Sequence, residues 1–357
     1  MNQQKKDAAE AAASFVAEDE AEQLPPPDIV AYNELRSCAD LVRLHASEKL
    51  EIQPDFQRDV VWKQDDQTRF IDSLVKQLPI PSMCFSLDYK TQKWKVIDGL
   101  QRMSSIIKFL SPAPWKLSDL SDIHPDLRGV RNIDLKMAGR LYSMVEDVSI
   151  PVTVIRCDYS QKSHMRYLFT IFHRLNSGGV RLTNQEIRNC IYTGPFNDLL
   201  KKFDKNSEWK SVTRRIWGSM DRFRSIEVAL RVLAFGDNLE SYDGNLARFL
   251  NDYMQDRHQE TAESLVNLER RLEKIAKMAH EALGNEQRTK LPLALIEAVL
   301  VSLYVNFDKV SKKSALDLQS AYSTLKQKPS FLDGARYAVS SAENVKKRLG
   351  DAVAAFK

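Results

Sequence analysis

Between residues 62 and 183 the apolar positions switch repeatedly between two periods. Phe70, Ile71, Leu74, Val75 and Leu78 recur at helical spacing behind the acidic pair Asp65-Asp66, and Pro79 closes the run, so a helix is predicted over 65–78. Residues 82–88 alternate, as do 93–97 with Trp94 and Val96 on one face, and both stretches read as strands. Met103, Ile106, Ile107 and Leu110 mark a second amphipathic helix. Residues 148–156 form a further strand with Val152 and Val154 on one face. Met165, Leu168, Phe169 and Phe172 mark a helix that runs toward Gly178-Gly179, a pair suited to a C-cap. Thr183 and Glu186 stand at capping-box spacing before the next helix.

Beyond about residue 184 the alternating pattern nearly vanishes. Ile226, Ala229, Leu230 and Leu233 repeat at helical spacing, and Leu265, Leu268, Leu272 and Ile275 show the spacing of a helix pair, within the chain or between chains. The run from Leu291 to Phe307 is the most apolar. It holds Pro292, Glu297 and Asn306, is short for a membrane span, and reads as a buried helix. Helices are also expected over 314–326 and 337–348. The fold class is therefore α+β: residues 1–30 as a mobile, Ala/Glu-rich tail ending near Pro25-Pro26-Pro27 (or a short helix), an α+β domain over 31–180, and a helical domain over 181–357.

Composition narrows the class without fixing a function. Hydrophobic residues make up 43% of 357, enough for sizeable cores, and the net charge of +4 permits nucleic-acid contact without arguing for it. Cys38, Cys84, Cys157 and Cys190 include no CxxC pair, which excludes a zinc ribbon or disulfide framework and fits a reducing, cytoplasmic setting. The acidic N-terminus does not resemble a secretory signal, and no membrane association is expected. The basic clusters Lys201-Lys202, Arg214-Arg215, Arg270-Arg271 and Lys346-Lys347-Arg348 read as solvated helix faces, or jointly as a nucleic-acid surface.

Three segments can carry chemistry. In Val96-Ile97-Asp98-Gly99-Leu100-Gln101-Arg102 a strand delivers an Asp-Gly turn to a helix start. Free N–H groups and the helix dipole favour an anion there, Gly99 permits close approach, Arg102 suits phosphate oxygens, and Asp98 suits a metal ion or a water. The plainer alternative is a turn with Arg102 in a surface ion pair. Gln53 to Trp62 sets Arg58 between Phe56 and Trp62, fit for stacking on a base or simply for the core. His173 to Val180 is a C-cap or a polar loop closing over a nucleotide, with His173 as a possible general base. There is no HExxH motif, no His-Asn-His set and no Walker A loop.

In this order the segments resemble one family. Pro-x-Phe-Gln-Arg-x-x-Val-Trp (54–62), Asp-Ser-Leu with Pro-Ile-Pro (72–81), Ile-Asp-Gly-Leu-Gln-Arg (97–102) and Phe-x-Arg-Leu-Asn-Ser-Gly-Gly-Val-x-Leu-Thr-x-x-Glu-Ile-Arg (172–188) resemble the N-terminal domain of GmrSD-type modification-dependent restriction enzymes, within the ParB/sulfiredoxin-like superfamily. The likeness extends through Arg-Phe-x-x-x-Glu-x-x-Leu-Arg (222–231) and Phe249-Leu250-Asn251. It implies nucleoside triphosphate binding and hydrolysis, with Mg2+, at Asp98, Gly99, Gln101 and Arg102. Phe56, Gln57, Arg58 and Trp62 would flank that site, and Arg174, Asn176 and Gly178 would lie on a later loop. DNA is the implied partner. Two departures stand out. Leu100 replaces the first of the family's usual Gln-Gln pair, so that hydrolysis is weakened or Leu100 faces the core. The helical C-terminal third, with only His258 and His280 after residue 180, carries no HNH nuclease pattern. The resemblance then implies a stand-alone form that works with a separate nuclease subunit, or a non-catalytic regulatory module. A homo-oligomer and a direct ParB-like nuclease using Asp55 or Asp72 are the remaining possibilities.

Overall fold

The computed structural model describes residues 25–52, 62–175, 182–218, 223–284, 290–328 and 341–357. Backbone packing divides them into two compact units, one within 23–182 and one within 183–357. The expected tail over 1–24 lies outside the described residues.

The first unit is built on a five-stranded sheet. Its strands are β1 (Val30–Ser37), β2 (Leu50–Glu51), β3 (Met83–Asp88), β4 (Trp94–Asp98) and β5 (Ser149–Cys157), in the spatial order β1-β5-β3-β4-β2. β5 is central: it pairs antiparallel with β1 and parallel with β3, while β3 and β4 form an antiparallel pair. Alternation places Ile150, Val152 and Val154 on one face of the sheet with Phe85, Leu87, Trp94 and Val96. Helices α1 (Cys38–Ala46), α2 (Gln64–Val75), α3 (Leu100–Leu110), α4 (Asn132–Ala138) and α5 (Arg140–Asp147) follow in the chain, and their Leu41, Ile71, Met103, Leu135 and Val145 fill the same core. The opposite face receives α6 (Lys162–Leu175), whose buried Met165, Leu168, Phe169 and Phe172 form one stripe. The sheet is strongly curled: the Arg36 guanidinium of β1 lies 5.3 Å from the centre of the Trp94 ring, although β1 and β4 are three strands apart in sheet order.

Local signals explain several boundaries. The Lys63 N–H donates to the Asp66 carboxylate, and Asp65 and Asp66 sit in the first turn of α2, where the helix dipole favours negative charge. Ser37 caps α1, its hydroxyl accepting the Asp40 N–H at 3.1 Å.

The second unit is helical throughout its described residues. It comprises α7 (Asn184–Ile191), α8 (Pro195–Phe203), α9 (Ser207–Trp217), α10 (Arg224–Asn238), α11 (Leu246–Asp256), α12 (Ala262–Leu283), α13 (Leu293–Val305), α14 (Phe307–Val310), α15 (Ala315–Lys326) and α16 (Ala342–Ala355). The capping box expected at Thr183 forms: its hydroxyl accepts the Glu186 N–H and its own N–H donates to the Glu186 carboxylate. α13 is buried on every side, which is why its sequence is apolar without a polar stripe. No helix among the described residues is long and apolar enough to cross a membrane. The spacing at Leu265, Leu268, Leu272 and Ile275 finds intrachain partners, since α12 packs on α8, α9, α13 and α15.

A chain of alternating charges runs through this unit. Arg188 pairs with Glu227 at 3.0 Å and Glu227 with Arg231 at 2.7 Å. Arg231 pairs with Glu297 at 3.2 Å, and Glu297 with Arg348 at 3.1 Å. Asn251 accepts a further bond from Arg188. Burial presses the Arg188 guanidinium toward its neutral form, while the two arginines beside Glu227 outweigh burial and hold that carboxyl below its usual range. The basic clusters are therefore not simply solvated faces. Arg348 is buried, Arg215 donates to the Leu283 and Gly284 carbonyls, and Arg271 donates to the Tyr304 carbonyl while its guanidinium sits 4.2 Å from that ring's centre.

Candidate functional site

The β4–α3 junction is shaped by a local irregularity. Phe85 pairs with Val96, but the next pair is Cys84 with Asp98, so Ile97 is an extra residue in β4. Such a bulge turns the strand end and re-aims the side chain that follows. It sets Asp98 opposite Cys84, where burial and the nearby Asp98 carboxylate push the Cys84 thiol up to about 12. Gly99 then adopts φ 96°, and a Cβ there would stand 2.8 Å from Met83 Cγ. Only glycine fits both requirements, the left-handed backbone and the absent side chain. α3 begins at once and has no side-chain cap, so its first N–H groups lie beside Asp98 without a capping oxygen.

Arg102, one turn into α3, donates to Asp98 Oδ2 at 2.8 Å. It also donates to the Pro81 carbonyl and, at 3.3 Å, to the Ser82 carbonyl. One guanidinium therefore orients the Asp98 carboxylate and ties down the Pro-Ile-Pro segment before β3. The Arg102 side chain is 13% exposed and that of Asp98 is 39% exposed. Gln101 accepts the Trp62 N–H at 3.2 Å through its side-chain oxygen, and Trp62 meets Phe70 edge-on with ring centres 5.5 Å apart. Leu100 is partly buried against the core of the first unit, in line with the core-facing alternative at this position.

Asp98, Gly99, Gln101, Arg102 and Trp62 are thus brought together. Arg174 lies in the last turn of α6, exposed. Phe56, Gln57, Arg58, Asn176 and Gly178 lie outside the described residues, as does Asp55. Asp72 has a structural role: its carboxylate pairs with Lys76 at 2.6 Å and accepts the His124 N–H at 2.7 Å. Sequence reading missed Cys84, Pro81 and Ser82 as neighbours of Asp98. The Pro-Ile-Pro motif was the available signal, but nothing in it says that its carbonyls meet Arg102. Among the described residues no group of three or more His, Cys, Asp or Glu side chains is arranged to hold a metal ion. Mg2+ carried by a nucleotide needs only one or two protein carboxylates, and Asp98 is one half-exposed candidate.

The motif residues of the second unit meet in a different place. Arg188, Glu227, Arg231 and Asn251, drawn from three separated sequence segments, join in the buried charge chain, where they act as framework.

Residues 39–193 match the family model described as GmrSD restriction endonuclease, N-terminal domain. No curated protein and no solved structure matches the chain.

Proposed function

Since residues 39–193 form a domain of the GmrSD N-terminal family, we propose that this chain is a nucleotide-dependent component of a restriction or phage-defence system. In this reading a nucleoside triphosphate binds at the β4–α3 junction and is hydrolysed there, and the cycle governs engagement of DNA and of a separate nuclease. The carrying observation is the turn itself. A strand ends in Asp98, Gly99 holds a left-handed backbone with no room for a side chain, and an uncapped helix start follows. Those N–H groups and the helix dipole favour phosphate oxygens. Asp98 would orient water or hold the nucleotide's Mg2+, which when bound neutralises phosphate charge. Arg102 would set the carboxylate and, by exchanging a carbonyl partner, reach a phosphate oxygen.

A second reading has its own support. The Arg102 guanidinium already serves three acceptors, and Leu100 is turned to the core. A domain so arranged can bind a nucleotide or a partner without turning it over.

The test is phosphate release from ATP, GTP, CTP and UTP with Mg2+, with and without DNA, for the wild type and Asp98→Ala. Turnover of one nucleotide, reduced about 10²-fold or more in the variant, is expected for loss of a group acting on water or metal. Binding without turnover, equal in both proteins, would replace hydrolysis with the binding-module reading. Neither binding nor turnover would remove the nucleotide altogether.

A further inference from the structure

The outer edge of β1 carries an inference independent of the nucleotide site. β1 is the terminal strand of the sheet, and only β5 pairs with it among the described residues. It is long for an edge, eight residues, and uninterrupted. Edges are commonly blunted by proline, lysine, a bulge or a covering element. Val-Ala-Tyr-Asn-Glu-Leu-Arg-Ser has no proline and no lysine. Its two charges cancel internally, because Arg36 and Glu34 pair at 2.7 Å. Three of its apolar side chains stand in solvent: Leu35 is 70% exposed, Val30 47% and Tyr32 37%.

Register fixes which backbone groups point outward. The Cys38 N–H donates to the Val148 carbonyl at 3.0 Å, continuing the β1–β5 ladder by one step. Hydrogen-bonding direction alternates along a strand. Even-numbered residues of β1 therefore turn their N–H and C=O toward β5, and Ala31, Asn33, Leu35 and Ser37 turn theirs outward.

We infer that this edge pairs with β1 of a second copy, antiparallel about a two-fold axis, extending the sheet across a homodimer. A two-fold axis perpendicular to a sheet brings residues of equal parity opposite one another. Of the two registers nearest the strand's middle, one places Glu34 against Glu34 and sets like charges face to face. The other centres on Asn33. It sets Ala31 opposite Leu35, Tyr32 opposite Glu34 and Val30 opposite Arg36, with every outward N–H from Ala31 to Leu35 given a carbonyl. That register covers the exposed Leu35 and Val30 and brings no uncompensated charge into the interface.

The test uses the full chain. Sedimentation of the wild type should report a dimer that dissociates on dilution through the micromolar range. Leu35→Lys, at an exposed position that leaves the fold intact by circular dichroism, should weaken association at least about tenfold. Asn33→Cys should form a reducible dimer on mild oxidation, since a hydrogen-bonded antiparallel pair sets Cα atoms about 5.5 Å apart, within disulfide reach. A wild type that is monomeric throughout overturns the proposal. So does a dimer that Leu35→Lys leaves unchanged, or one that Tyr32→Cys cross-links in preference to Asn33→Cys.

Discussion

At the scale of single residues, the junction depends on Gly99 more than on any charged group around it. Its φ of 96° and the 2.8 Å between a notional Cβ and Met83 act together. Gly99→Ala should cost about 1–3 kcal/mol, the left-handed penalty plus the shift forced on Met83. Urea unfolding measures this, and a change below about 0.5 kcal/mol would mean that the backbone relaxes freely. A second residue-scale prediction concerns acid. Burial of Asp158 alone would raise its carboxyl, but bonds from Lys90, Ser160 and Gln161 prevail and hold it well below the usual carboxylate range. A depressed folded-state value contributes stability that is present above the unfolded value, near pH 4, and is lost as the pH falls below it. The urea midpoint of the wild type should therefore drop between pH 5 and pH 3 by more than that of Asp158→Asn. Parallel curves would show that this carboxylate does not shape the acid limb.

At the scale of elements, what could be read from the chain follows from burial. α2, β3, β4, α3, β5 and α6 each have one buried face, and their apolar period shows it. β1 went unread because, as an edge strand exposed along most of its length, it has no alternation to display. α1 follows it directly on a serine cap and is only nine residues long. α4 and α5 abut at Gly139 and blur into a single irregular stretch. The candidate site was half legible. The Asp-Gly-x-Gln-Arg spacing points to a turn before a helix, and that turn is present. The extra residue at Ile97 and the reach of Arg102 to the Pro81 and Ser82 carbonyls depend on pairing across the sheet, which no local pattern encodes. Glu227 and Arg231 likewise read as family motif, yet they lie inside the helical unit holding helices together.

At the scale of the whole molecule, the second unit stands on compensation within its core. Removing one member of a buried ion chain strands the others. Glu297→Ala leaves Arg231 and Arg348 facing each other's positive charge in a buried space and should cost about 3–5 kcal/mol. Chemical denaturation followed by helical circular dichroism measures the loss. A cost below about 1 kcal/mol would show that water enters and replaces the carboxylate. Polar isosteres are also informative: Glu297→Gln keeps the shape and some of the bonds, and its cost should fall between the wild type and the alanine variant.

The alternating chain has one more consequence. Similarity to the family stops at residue 193, shortly after α7. Arg188 in that helix finds Glu227 and Asn251 only in α10 and α11. A fragment trimmed where kinship ends would hold a guanidinium shaped for company that had been cut away, together with the apolar faces of Ile187 and Ile191. The limit of shared ancestry and the limit of autonomous folding therefore fall at different places along this polypeptide, and Arg188 marks the distance between them.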